Sequence, residues 1–110
     1  MNNKGNIFKL PRHLGDAEIF EPLMTRKNIT IERIISTGQT TENHRWYDQD
    51  RDEWVILLQG EAELTYPDEV SIRLRPGDYL FIPAHQKHAV TYTSTQPPCI
   101  WLAVHIPVTT

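Results

Sequence analysis

Gly77-Asp78-Tyr79-Leu80-Phe81-Ile82-Pro83-Ala84-His85-Gln86-Lys87-His88 sets a turn, an apolar strand, a proline and two histidines in quick succession. This order delivers imidazoles to the end of a sheet, where metals and ligands commonly sit. The turn that precedes it, Arg75-Pro76-Gly77-Asp78, has a mechanism: proline presets one dihedral and glycine accepts positive φ without steric cost. Upstream, His44, a run of acids and Glu53 lead into a second strong strand, Trp54-Val55-Ile56-Leu57-Leu58, closed by Gly60. Two separate segments therefore offer the same kind of chemistry.

Outward from these two segments the same texture continues. Ile29 to Ile35 is β-branched and apolar, Ala62 to Tyr66 alternates strictly, and Val70 to Leu74 alternates again after the Pro67-Asp68-Glu69 turn. His88 to Thr93 and Ile100 to Ile106 complete the set, with Gln96-Pro97-Pro98 between them. No segment has the period of a long amphipathic helix. Short strands at regular spacing predict an all-β sandwich or closed barrel, and we assign a barrel over residues 29–110. Residues 1–28 form an N-terminal segment that packs on the barrel or on a dimer partner. Within it Ile7-Phe8-Lys9-Leu10 reads as a short edge strand. Asp16 to Glu21 reads as a helical turn or as a strand pairing with Ile29 to Ile35, and Pro11 and Pro22 argue against one long element.

A chain of 110 residues supports one domain with one core. Its formal charge of −3, with no basic stripe, excludes a phosphate-backbone surface and hence a nucleic-acid partner. The apolar runs are short and Met1 to Gly5 begins no hydrophobic signal region, so the expectation is no membrane segment and a cytoplasmic location. Cys99 is the single cysteine and reads as a small core residue in an apolar strand.

Two-fold periodicity selects the side chains that can meet. Glu53 shares a face with Val55 and Leu57, so an inward pair carries the carboxylate inward, at a desolvation cost of several kcal/mol unless it is paired or bound to a metal. His88 shares a face with Val90 and Tyr92, His105 with Ala103 and Trp101, and His44 with Trp46 and Asp48 if that segment is extended. Imidazole and carboxylate together suit a divalent transition metal: iron, manganese, zinc, nickel or copper. The alternating acids from Asp48 to Asp52 lack the glycine and glutamate places of a calcium loop and read as a solvated loop.

These residues resemble the cupin superfamily, small β-barrels with two motifs on neighbouring strands. Its first pattern (Gly, five residues, His-x-His, three or four residues, Glu, six residues, Gly) is met by Gly38, His44, Glu53 and Gly60. Trp46 stands at the second histidine, and the stretch from there to Glu53 is longer than usual. Its second pattern (Gly, five residues, Pro-x-Gly, two residues, His, three residues, Asn) is met by Gly77, Pro83 and His88, with His85 at the second glycine and Tyr92 at the asparagine. The resemblance implies a cupin jelly-roll barrel, a homodimer, and a metal held by His44, Glu53 and His88, with His85, His105 and Asp48 as candidates for the missing ligand. It further implies dioxygenase, isomerase, decarboxylase or lyase chemistry on a small molecule, with His85 or Tyr92 as acid or base. The alternative is a binding or sensing module that holds a metal or small ligand without turnover.

Overall fold

A computed structural model describes residues 4–108. The first three and last two residues of the two expected segments lie outside the described residues. Eight strands form: β1 (Ile19–Arg26), β2 (Ile29–Ser36), β3 (Arg51–Gln59), β4 (Ala62–Thr65), β5 (Ser71–Leu74), β6 (Tyr79–Ile82), β7 (Ala89–Thr93) and β8 (Cys99–Pro107). They pair antiparallel as a five-stranded sheet, β1-β2-β8-β3-β6, and a three-stranded sheet, β5-β4-β7. Among the described residues no helix is long and apolar enough to cross a membrane.

The β3–β4 and β5–β6 turns fix this topology. Gly60 has φ +90°, a conformation a side chain rarely adopts, and it closes β3 onto β4. In Arg75-Pro76-Gly77-Asp78 the Asp78 amide donates to the Arg75 carbonyl at 2.9 Å with Gly77 at φ +94°, the signature of a type II turn. Between the sheets lies the core: Val55, Leu57 and Trp101 from the larger sheet meet Ala62, Leu64 and Leu74 from the smaller. Leu57 is fully buried, which alone stabilises by about 1.5–3 kcal/mol.

The opposite face of the larger sheet is also apolar. Cross-strand register aligns Phe81, Trp54, Val104, Ile31 and Met24 in one row over all five strands. A second row runs Tyr79, Ile56 and Leu102, and continues into the charged pair Arg33 and Glu21 on the last two strands. Tyr79 and Phe81 remain exposed at the β6 edge.

The N-terminal segment differs from its sequence reading. Residues Ile7 to Leu10 make no strand; an Asn6 side chain caps a turn there, accepting from the Phe8 amide at 2.8 Å. Buried Arg33 donates to the carbonyls of Ile7 (3.1 Å) and Lys9 (2.7 Å) and pairs with Glu21 at 2.7 Å, fastening the segment to the outer face. From Ile19 the chain is strand, the second of the two expected alternatives, and it runs through Pro22. This is allowed because β1 is an edge strand and its register shifts between Pro22 and Met24.

Candidate functional site

Strand alternation brings Glu53 on β3 and His105 on β8 directly opposite each other, both inward, with Val55 facing Ala103 two residues on. His88, buried at the start of β7, closes the cavity from the other sheet. Its backbone pairs with Tyr47 (Tyr47 amide to His88 carbonyl 2.7 Å, the reverse 3.2 Å), and the two rings stack at 5.4 Å. The cavity these groups enclose is about 80 Å³, polar at Glu53, His88 and His105 and apolar at Ile34, Leu64 and Trp101. It opens through Phe20, Glu32, Gln49 and His105 into a wider mouth of about 490 Å³.

Several polar wall residues are held in a defined way. Only an N–H can donate to a carbonyl, so the 2.9 Å contact between His88 Nδ1 and the Gln86 carbonyl puts a proton on Nδ1 and leaves Nε2 for the cavity. His105 Nε2 donates to Glu32 Oε1 at 3.1 Å. Trp101 Nε1 donates to Ser36 Oγ at 3.1 Å, and Ser36 in turn donates to Glu18 Oε2 at 2.6 Å. Glu53 is the charged group left without such a partner: it is 7% exposed, yet no described residue gives its carboxylate a hydrogen bond or a close ion pair.

Electrostatics follow from burial. Desolvation raises the Glu53 carboxyl above its ordinary range, opposed by the nearby imidazoles of His105 and His88. Glu18 is likewise raised by burial, partly offset by the Ser36 hydroxyl. The Tyr47 phenol is raised by burial and by the charges of Glu18 and Glu53, so it stays neutral at physiological pH.

Other sequence candidates lie elsewhere. His44 occupies an exposed turn at φ +66° and lines neither the cavity nor its mouth. Asp48 and His85 stand at the mouth, joined to each other at 2.8 Å. Tyr92 does not share a face with Val90. A bulge opposes Glu63 to Tyr92 and Leu64 to Val90, so Thr91 is the extra residue and the alternation reverses. Val90 therefore lines the cavity while Tyr92 turns outward beneath the Arg73 guanidinium, 4.6 Å from its ring centre.

Tyr47, Gln49, Glu32 and Glu18 also line the cavity, and none of them is among the ligand or acid–base candidates read from the sequence. For the first two a signal existed. Anchored on Glu53 and Gly60 rather than on His44, the first cupin pattern reads Tyr47-x-Gln49, three residues, Glu53, six residues, Gly60, with ordinary spacing from Tyr47 on, while Thr41 stands at the place of the opening glycine. The two histidine places of that motif thus carry a phenol and a carboxamide.

This donor set does not fit the imidazole-rich metal site that the resemblance implies. A neutral phenol and an amide are weak ligands for the expected metals, His105 commits its Nε2 to Glu32, and His44 is remote. Among the described residues no three His, Cys, Asp or Glu side chains converge as a metal-binding group.

A protein-family model described as a cupin domain matches residues 32–105. Among solved structures, a Ralstonia eutropha JMP134 protein named as a candidate mannose-6-phosphate isomerase is similar at 44% identity and TM-score 0.87, covering 96% of this chain and 98% of its own. A cupin superfamily protein from Desulfitobacterium hafniense DCB-2 is similar at 22% identity and TM-score 0.73, over 97% of each chain. The polyketide cyclase RemF from Streptomyces resistomycificus is similar at 19% identity and TM-score 0.66, over 81% of this chain and 64% of its own. These last two likenesses bear on the fold alone. No functionally curated protein matches the chain.

Proposed function

The chain belongs to the cupin family, and from that premise we propose that its barrel is a small-molecule pocket whose polar end is Glu53, His88 and His105. The observation that carries this reading is the Glu53 carboxylate. The residue is buried, its carboxylate has no protein hydrogen bond and its oxygens open onto the cavity, so a ligand that donates to it supplies the partner the protein leaves out. The cavity has room for a small molecule of about five heavy atoms, since each water-sized group needs roughly 10–15 Å³ of it. Anything longer extends into the mouth.

Organic recognition, not a resident transition metal, is the role this donor set supports. Elemental mass spectrometry on protein purified without a histidine tag, before and after reconstitution with iron, manganese, zinc, nickel and copper, tests it. We expect well under one equivalent of every metal. About one equivalent, lost in both Glu53→Ala and His88→Ala, would replace this reading with a metal centre built on those two side chains.

A second reading is proton-transfer chemistry, of isomerase or lyase type, on the bound molecule. It is favoured by the Nδ1–H to Gln86 bond, which presents His88 Nε2 as a base beside a carboxyl that burial keeps protonatable. The Ralstonia neighbour's name points to a sugar phosphate, but among the described residues the only fixed cation on the cavity and mouth walls is Arg51. A phosphate dianion is poorly matched to such walls.

A further inference from the structure

We infer that the pocket selects a small organic ammonium ion with a short apolar stem; this rests on the pocket reading above and adds the charge of what binds. Five carboxyl groups face the cavity and its mouth, Glu18, Glu32, Glu53, Asp48 and Asp50, against the one guanidinium of Arg51. A concave site lined by one sign of charge focuses its field and concentrates ions of the other sign. Acidity alone would describe a solvated rim. The second observation is Glu53, more than nine-tenths buried, lining the cavity and given no hydrogen bond by any described residue.

The acceptors at the polar end match an ammonium in number and kind. An –NH₃⁺ group has three donors and no acceptor. Glu53 offers carboxylate oxygens, and His88 offers the lone pair of Nε2, since Nδ1 already carries its proton toward Gln86. Behind these acceptors Ile34, Val55, Leu64 and Trp101 accept a short hydrocarbon stem. A neutral hydroxyl would donate one hydrogen bond and leave the carboxylate charge uncompensated. An anion would meet like charge from every side except Arg51.

One stem in three charge states tests this. Butylamine, 1-butanol and butyrate are titrated into isotopically labelled protein, with mannose 6-phosphate alongside, following the Trp101 indole N–H, assigned with Trp101→Phe. Expected is butylamine binding at least tenfold tighter than 1-butanol, with no saturable shift from butyrate or the sugar phosphate. Glu53→Gln should erase the amine's advantage, and Asp50→Asn, at the exposed rim, should reduce it by a smaller factor. Should Glu53→Gln not fold, the Asp50→Asn series together with the loss of butylamine affinity at raised salt decides the same point. Equal affinities for amine and alcohol, or tighter binding of either anion, would overturn the ammonium assignment and leave the pocket standing. No shift of the Trp101 signal with any of the four would remove the pocket reading and the assignment with it.

Discussion

Replacing Glu53 by Gln keeps the shape of the side chain and removes its charge, and we expect the protein to become more stable for it. The carboxylate is 7% exposed and unbonded, with His105 and His88 near enough to ease the penalty but not to form a close pair. Neutralising a buried, uncompensated charge is worth about 1–3 kcal/mol. For a domain of this size, each kcal/mol moves Tm by roughly 4–8 °C. The gain at pH 8 should therefore be about 4–24 °C. Its pH dependence has a definite sign. Burial raises the folded-state pKa of Glu53, so the folded chain holds that proton more tightly than the unfolded chain. The contribution is fully present below the unfolded value and is lost as pH rises through the folded pKa. The advantage of Gln over Glu should accordingly be absent near pH 4 and grow to its full size on the alkaline side. Circular-dichroism melts of both proteins at matched pH values measure it directly. A variant less stable than wild type at pH 8, or a gain independent of pH, would mean that the two imidazoles already neutralise Glu53, and the desolvation argument would fail.

Two further outcomes follow from the packing. At Gly60 an added Cβ would sit 2.8 Å from Ser94 Oγ and 2.9 Å from the Cys99 backbone, whereas at Gly77 it would meet nothing within 4 Å. Both glycines have positive φ, so Gly77→Ala should cost only the conformational strain, about 1–2 kcal/mol in urea denaturation, and Gly60→Ala about 3 kcal/mol or more. Equal costs would show that the close approach relaxes freely. The apolar row from Phe81 to Met24 on the outer face of the larger sheet is proposed to meet a second copy of the chain, since a stable interface needs about 800 Å² from each partner and this row crosses all five strands. Light scattering should give twice the 12.8 kDa chain mass, and Phe81→Glu should halve it; a wild-type monomer at micromolar concentration would rule out that face.

Much of the barrel could be read from period and turn chemistry because both are local. Pro76-Gly77 and Gly60 specify their turns regardless of what surrounds them, and the alternation of β3 puts Glu53, Val55 and Leu57 on one face as expected. Where local rules failed, a long-range fact was responsible. The bulge at Thr91 is a property of the β4–β7 pairing, and it turns Tyr92 away from the cavity although every residue from His88 onward reads as plain strand. The Tyr47–His88 backbone bridge joins residues 41 apart in sequence, so no strand pattern near Tyr47 announces that it faces the site, and only its spacing from Glu53 does. His44 misled for a simpler reason: it is the residue type a metal site needs, at a spacing that fits from one end of the motif only. Glu18 and Glu32 reach the wall through strand order, β1 beside β2 beside β8, which the sequence does not encode in any short window.

The guanidinium of Arg33 grips the N-terminal segment by the carbonyl oxygens of Ile7 and Lys9. Carbonyls are the one feature that every residue presents alike, so this clasp reads the path of the chain and is blind to its spelling. The Phe8 side chain within it stands half in solvent, so what the clasp holds there is backbone. Altering the single residue at position 33 would remove both carbonyl contacts at once and loosen the strap from the sheet.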